Sequence, residues 1–373
     1  MTSLKPLPVT EPCIPALDDF RDCLADVWAR KWLTNNGQCH RELEAALAEH
    51  LGVDYVSLFC NGTIALQVGL QVLGAAGKVV TTPFSFPATT HTIRTCGCTP
   101  VFCDIDPETG TLDPGALESA ITPDTTLVLP VHVYGTPCNV QAIREIADRH
   151  DLKVFYDAAH AFGVTLNGNS ILNHGDLSML SFHATKVYNT MEGGALVTSD
   201  PEVKQRIDCL KDFGFVSETE VVEAGTNGKM NEVQAAYGLL QLKTVAEQIA
   251  RRLERTEQYR QALAGTPGLR VPEDPHGVQP NGSYFPVFID AEQFGMTRDE
   301  VYEGLKKRNI FGRRYFYPLI SEFPMYRDCR GASPRNLHNA RRLSREVLCL
   351  PLFADITEAD VDRVVNAIQT AKG

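Results

Sequence analysis

From Asp54 to Thr198, short apolar β-rich runs alternate with stretches of helical period, and this alternation constrains the fold more than any other feature. The runs that read as strands are Tyr55–Cys60, Val79–Thr82, Val101–Asp104, Leu127–Val133, Val154–Asp157, Leu177–Phe182 and Ala195–Thr198. Asp113-Pro114 predicts a helix N-cap with proline at the first helical position. Asn139 heads a segment that puts Val140, Ile143, Ile146 and Ala147 on one face. Buried strands separated by helices build a largely parallel sheet covered on both faces.

Past Lys229 the pattern changes. Residues Lys229 to Leu263 read as one long helical stretch, rich in Ala, Leu, Gln, Glu and Arg. A strand over Tyr284–Ile289 follows, then a helix opened by a Thr297…Glu300 capping box and a strand over Ile310–Tyr317. A last helix begins at Thr357 with Val361, Val364, Val365 and Ile368 on one stripe. The expected architecture is α/β: a large unit over residues 1–243 with an N-terminal arm and a mostly parallel seven-stranded sheet, and a smaller C-terminal α+β unit over residues 244–373.

Composition narrows the function classes. At 373 residues and 43% hydrophobic, the chain can bury a large core. Its formal charge of −11 argues against wrapping nucleic acid. No apolar run reaches the roughly 18 residues of a membrane span, and the N-terminus lacks the basic-then-apolar pattern of a signal peptide. The expectation is a cytoplasmic protein without membrane attachment. Its 11 cysteines form no CxxC pairs; Cys96 and Cys98 alone do not make a zinc site, so reduced thiols and no metal are expected.

Four segments carry candidate chemistry. In Ser181-Phe182-His183-Ala184-Thr185-Lys186 a strand delivers a lysine into a loop, and Gly193-Gly194 then permits close backbone approach. Desolvation there would free the lysine amine as a nucleophile; taken alone, such a lysine reads more simply as a solvated loop residue. Tyr156-Asp157-Ala158-Ala159-His160 puts a carboxylate at the C-terminal end of a strand, where open α/β sheets bind ligands. By itself Asp157 is equally a helix N-cap, and His160 a structural histidine. Cys60-Asn61-Gly62-Thr63 turns from a strand into a helix whose free N–H groups suit a phosphate, or is a plain Asn-Gly turn. Phe86, in Pro83-Phe84-Ser85-Phe86-Pro87-Ala88-Thr89, could stack on a planar ligand or belong to the core.

In this order and with these gaps, the four segments resemble the DegT/DnrJ/StrS family of sugar-nucleotide aminotransferases. The resemblance runs from Trp32-Leu33-Thr34-Asn35-Asn36-Gly37 through Pro130-Val131-His132-Val133-Tyr134-Gly135 to Leu350-Pro351-Leu352 and the Thr357 helix. Its most specific stretch is SFHATKVYNTMEGG. It implies the fold-type I architecture of enzymes dependent on pyridoxal 5'-phosphate (PLP), working as homodimers.

The resemblance also implies roles. Lys186 matches the lysine that carries the cofactor and moves protons, and Asp157 matches the partner of the pyridine nitrogen. Phe86 matches the aromatic that stacks on the ring. Gly62, Thr63 and Ser181 match phosphate ligands. Asn227 falls in the family's G-x-N-x-R pattern, whose asparagine reaches the phosphate from the other subunit. The family's arginine is Lys229 here, which removes any planar bidentate contact. His160 lies at a position near the cofactor's 3-oxygen, where members that aminate C4 of a sugar often carry histidine and others glutamine. Arg313, Arg314 and Tyr317 match a segment that contacts the nucleotide diphosphate.

The implied reaction takes the amine of L-glutamate, releases 2-oxoglutarate, and passes the amine to a nucleotide-linked 4-keto-6-deoxysugar, with dTDP-4-dehydro-6-deoxy-D-glucose as the specific expectation. A 3-keto-sugar aminotransferase is the nearest alternative. A dehydratase of the same fold is disfavoured, since those relatives carry histidine where this chain has Lys186. The intact lysine, aspartate and phosphate set also argues against a non-catalytic PLP-binding regulator.

Overall fold

The computed structural model describes residues 5–372. All seven predicted strands join one sheet. Across it they run Tyr55–Phe59, Gly194–Thr198, Leu177–Ser181, Lys153–Asp157, Thr125–Leu129, Lys78–Thr81 and Thr99–Phe102. Only Gly194–Thr198 runs against the rest. The chain is therefore α/β with a mostly parallel sheet. Two apolar clusters form its cores, one containing Leu43, Val80, Val128 and Tyr188 and the other Leu66, Phe155, Leu177 and Leu196. The C-terminal ends of the parallel strands emerge together, which gathers Asn61, Asp157 and Ser181 at one edge of the sheet.

Both outer strands are covered by the chain itself. Cys60 donates its N–H to Gly228 O at 2.8 Å, beside the strand Tyr55–Phe59. At the other edge Phe102 donates to Arg330 O at 3.0 Å. Gly331 follows with φ +81°, and a Cβ there would lie 1.9 Å from Phe102 O.

The smaller sheet is Leu269–Arg270, Phe285–Ile289 and Val347–Leu350. It packs with the helices Val245–Leu263, Arg298–Lys307 and Glu358–Gln369 around Val287, Leu305, Leu348 and Val364. A further cluster, including Phe84, Val133, Phe288 and Phe316, bridges the two sheets. Asp104 ties them as well: its carboxylate accepts the N–H groups of Asn339 (3.0 Å) and Ala340 (2.9 Å) at the start of the helix His338–Glu346.

Two sequence expectations need correction. The stretch Lys229–Leu263 is two helices, Glu232–Leu242 and Val245–Leu263. Thr244 marks the break: its N–H (3.1 Å) and hydroxyl (3.3 Å) both donate to Gln241 O, which a continuous helix would give to the Val245 N–H, while its hydroxyl accepts from Gln248 Nε2 (2.8 Å). The strand expected over Ile310–Tyr317 is only Ile310–Phe311, paired with Leu7–Pro8. Arg313 still bridges to Cys349, but the aromatic side chains beyond it turn into the bridging cluster, and Pro318 has no N–H to extend a ladder.

None of the eleven cysteines is in a disulfide. Among the described residues, no helix is long and apolar enough to cross a membrane, and no group of acidic, histidine and cysteine side chains is arranged to hold a metal ion.

Candidate active site

A cavity of about 660 Å³ opens at the C-terminal edge of the parallel strands. Gly62, Thr63, Phe86, Asp157, His160, Ser181 and Lys186 all line it. Residues far apart in the chain are thus brought to one space by the sheet topology.

The helix Gly62–Val72 starts at the cavity wall. Asn61 caps it by accepting the Ile64 N–H at 2.9 Å, which leaves the first-turn N–H groups directed outward. Gly194 explains the second glycine of the Gly-Gly pair: a Cβ there would lie 2.7 Å from Gly62 N and 2.9 Å from Asn61 C. Only glycine lets the strand Gly194–Thr198 pass so close to that turn.

Asp157 is the last residue of its strand and is buried. Its Oδ2 accepts from Thr89 Oγ1 at 2.7 Å, and its Oδ1 accepts from Ala159 N at 3.1 Å. Burial pushes its carboxyl above the ordinary range, opposed by those two donors and by the Lys186 ammonium. A cationic partner in the cavity would favour its ionised form.

Lys186 points its amine into the same space, with Nζ 5.9 Å from the Tyr284 ring centroid. Burial pulls its pKa down to about 8, against the attraction of Asp157. Below that pH the group is ammonium, and above it a nucleophilic amine. In apoprotein treated with trinitrobenzenesulfonate, labelling of Lys186 should rise about tenfold per pH unit and level off near pH 8, while surface lysines keep rising toward about pH 10. Peptide mapping across pH 6–10 checks this; a Lys186 midpoint near 10 would show an amine that is not desolvated.

His160 is buried between Tyr284 and Phe316, with ring centroids at 5.0 Å and 6.1 Å. Burial, reinforced by Lys186, holds its pKa well below the ordinary value, so it is neutral. Tyr134 adopts φ +59° and donates its backbone N–H to His160 Nδ1 at 3.1 Å. The ring proton is therefore on Nε2, and the side chain can only donate at that atom.

Other expected site residues lie elsewhere. Asn227 is exposed and bridges to Asp212. Lys229 pairs with Asp212 and lies 4.7 Å from the Phe213 ring centroid. Arg314 pairs with Asp299 at 2.9 Å and stacks on Tyr302, and Tyr317 sits against Arg298. Arg313 is exposed and, like these four, does not line this chain's cavity. Sequence reasoning did not single out Ser85, Thr89, Tyr284, Tyr315 or Phe316, all of which line it. The motif around Phe86 contained the first two, and their buried hydroxyls were the missed signal.

The donor set suits pyridoxal phosphate. Asp157 offers a buried carboxylate whose oxygens each retain an open acceptor position, the helix start offers N–H groups to a dianion, and Lys186 offers a desolvated amine.

Comparison with known proteins agrees. A model of the DegT/DnrJ/EryC1/StrS aminotransferase family matches residues 17–369. The chain is 47% identical over 368 residues to dTDP-4-amino-4,6-dideoxy-D-glucose transaminase of Shigella dysenteriae, covering 99% of this chain and 100% of the relative. It is 34% identical to GDP-perosamine synthase of Caulobacter vibrioides, covering 97% of this chain and 98% of that one. The crystal structure of DesI in the presence of its TDP-sugar product superposes with a TM-score of 0.94 at 38% identity, covering 99% of this chain and 93% of that chain. The fold, the cavity and the matched family together make this chain a member of the DegT/DnrJ/EryC1/StrS aminotransferase family, an enzyme whose cofactor is pyridoxal phosphate.

Proposed function

We propose that the enzyme transfers the amino group of L-glutamate to C4 of dTDP-4-dehydro-6-deoxy-D-glucose, giving dTDP-4-amino-4,6-dideoxy-D-glucose and 2-oxoglutarate. The observation that carries this reading is end-to-end similarity, at 47% identity, to the transaminase of that name. The cavity supports it with a desolvated amine beside a buried carboxylate.

Gly62, Thr63 and Ser181 would hold the cofactor phosphate, Phe86 would cover the ring, and Asp157 would keep the ring nitrogen protonated. Pyridoxal phosphate supplies an electron-withdrawing ring that receives the electron pair left when a C–H bond beside the nitrogen breaks. Lys186 Nζ removes the proton from Cα of the amino donor in the first half of the reaction. In the second half it delivers a proton to C4 of the sugar. His160 donates through Nε2 to an oxygen in the cavity, and the aromatic wall of Tyr284, Tyr315 and Phe316 limits water. Arg313, Arg314 and Tyr317 lie outside this chain's cavity, and would engage the diphosphate only where the nucleotide extends beyond its mouth.

NMR of the product made from glutamate and this substrate tests the reading. An equatorial amine on C4 fits it, and an axial one would be the galacto epimer and refute the named product. An amine on C3, or turnover confined to UDP-linked sugars, refutes the substrate and leaves the aminotransferase standing.

The proposed working unit is a cytoplasmic homodimer. Trp28, Trp32, Leu33, Phe213, Phe215, Val221 and Val222 are all exposed, a large apolar surface for a single chain. The exposed Asn227 would then reach the phosphate of the partner's site. Inactive Lys186→Ala and Asn227→Asp chains, mixed and allowed to exchange, should recover up to one working site per heterodimer. No recovery from chains shown to exchange would refute the shared site.

A further inference from the structure

Asp157 is held by more than its strand. Thr89 lies in the first turns of the helix Pro87–Thr95, and its side chain is fully buried. It reaches across to a residue 68 positions away, donating from Oγ1 to Asp157 Oδ2 at 2.7 Å. Ser85 Oγ lies 2.8 Å from the same Thr89 oxygen and is also buried.

The direction of this chain is fixed by chemistry. An ionised carboxylate only accepts, so the Thr89 proton must point at Asp157. The Thr89 oxygen is then free to accept the Ser85 proton. Ser85 thus polarises Thr89, and Thr89 strengthens its bond to the carboxylate. Thr92, one turn further along the same helix, behaves differently: its hydroxyl donates back to Thr89 O at 3.0 Å, an ordinary in-helix bond. With Ala159 N–H on Oδ1 and Thr89 on Oδ2, the carboxylate plane cannot rotate, and each oxygen keeps an acceptor position for a third donor. Lys186 is the titratable group whose charge acts on it, and no direct hydrogen bond joins the two.

Phe86 is the N-cap of this same helix and stands at the cavity rim, with Pro87 at its first position. One helix start therefore sets both Phe86, which would cover the cofactor ring, and the donor that orients the carboxylate.

We propose that Thr89, ordered by Ser85, is a positioning residue that keeps Asp157 ionised and aimed at the ring nitrogen of the cofactor. This inference rests on the reading of Asp157 as that nitrogen's partner.

The test uses holoenzyme loaded with pyridoxal phosphate carrying 15N in its ring, whose chemical shift reports whether the nitrogen is protonated. Thr89→Val keeps the shape and removes the donor; Thr89→Ser keeps the donor. In Thr89→Val the ring nitrogen should lose its proton at least about one pH unit lower than in the native enzyme. Its kcat should fall roughly tenfold or more, with the glutamate KM changed less than about twofold. Thr89→Ser should restore both. Thermal melting checks that each variant is folded. A Thr89→Val nitrogen that titrates like the native one, in a folded holoenzyme, overturns the role of Thr89. Asp157→Asn serves as the reference: if it also leaves the nitrogen signal unmoved, the reading of Asp157 itself fails.

Discussion

Lys186→Ala should abolish turnover, a loss of at least about four orders of magnitude, because in the proposed reaction one side chain would supply both the amine that holds the cofactor and the base that moves the proton. Among the described residues no other lysine lines the cavity to replace it. The variant should still bind pyridoxal phosphate, since Asp157, Phe86 and the helix start at Gly62 are untouched. Two measurements separate these contributions. Borohydride treatment of the native holoenzyme should fix the cofactor's mass on the peptide containing Lys186, and no peptide of the alanine variant should carry it. Steady-state assays of the variant should stay at background, with partial rescue by added small amines. Sustained multiple turnover without such an amine would falsify the assignment.

Asp157→Asn should cost about two orders of magnitude in kcat, roughly 3 kcal/mol of barrier. The amide has nearly the carboxylate's shape, so the expected loss is one of charge. A neutral partner cannot hold a proton on a pyridine nitrogen at neutral pH, and the ring then withdraws electrons less well. The local structure should persist, because an amide oxygen can still accept the Ala159 N–H. A loss below about threefold would mean that Asp157 is a structural cap and that the cofactor nitrogen finds its proton elsewhere.

The large sheet was legible because each of its strands is a short apolar run, and the first five are mostly separated by helix signals. That Lys186, Asp157 and the Gly62 turn meet in one cavity was legible because each lies just past a strand end, where a sheet's C-terminal edge gathers residues. Thr89 was not: its importance lies in a bond to a residue 68 positions away, and in sequence it is one threonine among several in a helix. Tyr284, Tyr315 and Phe316 reach the cavity from the C-terminal unit, and local pattern carries no information about that approach. The break at Thr244 depends on two side-chain bonds, which periodicity cannot register. Arg314 and Tyr317 were picked from a motif, and the fold sets them in a stack with Arg298 and Tyr302 outside the cavity.

An unprotected sheet rim is a template on which a foreign strand can add, and chains that leave one open tend to polymerise. Here the Gly228 carbonyl guards one rim and the Arg330 carbonyl the other, each drawn from a segment distant in sequence. These contacts hinder growth by strand addition, and the proposed dimer would instead form through exposed side chains such as Trp28, Trp32 and Phe213. The guard at the second rim depends on a glycine with positive φ, where any side chain would collide with the Phe102 carbonyl. Protection of that rim therefore hangs in part on the missing Cβ of Gly331.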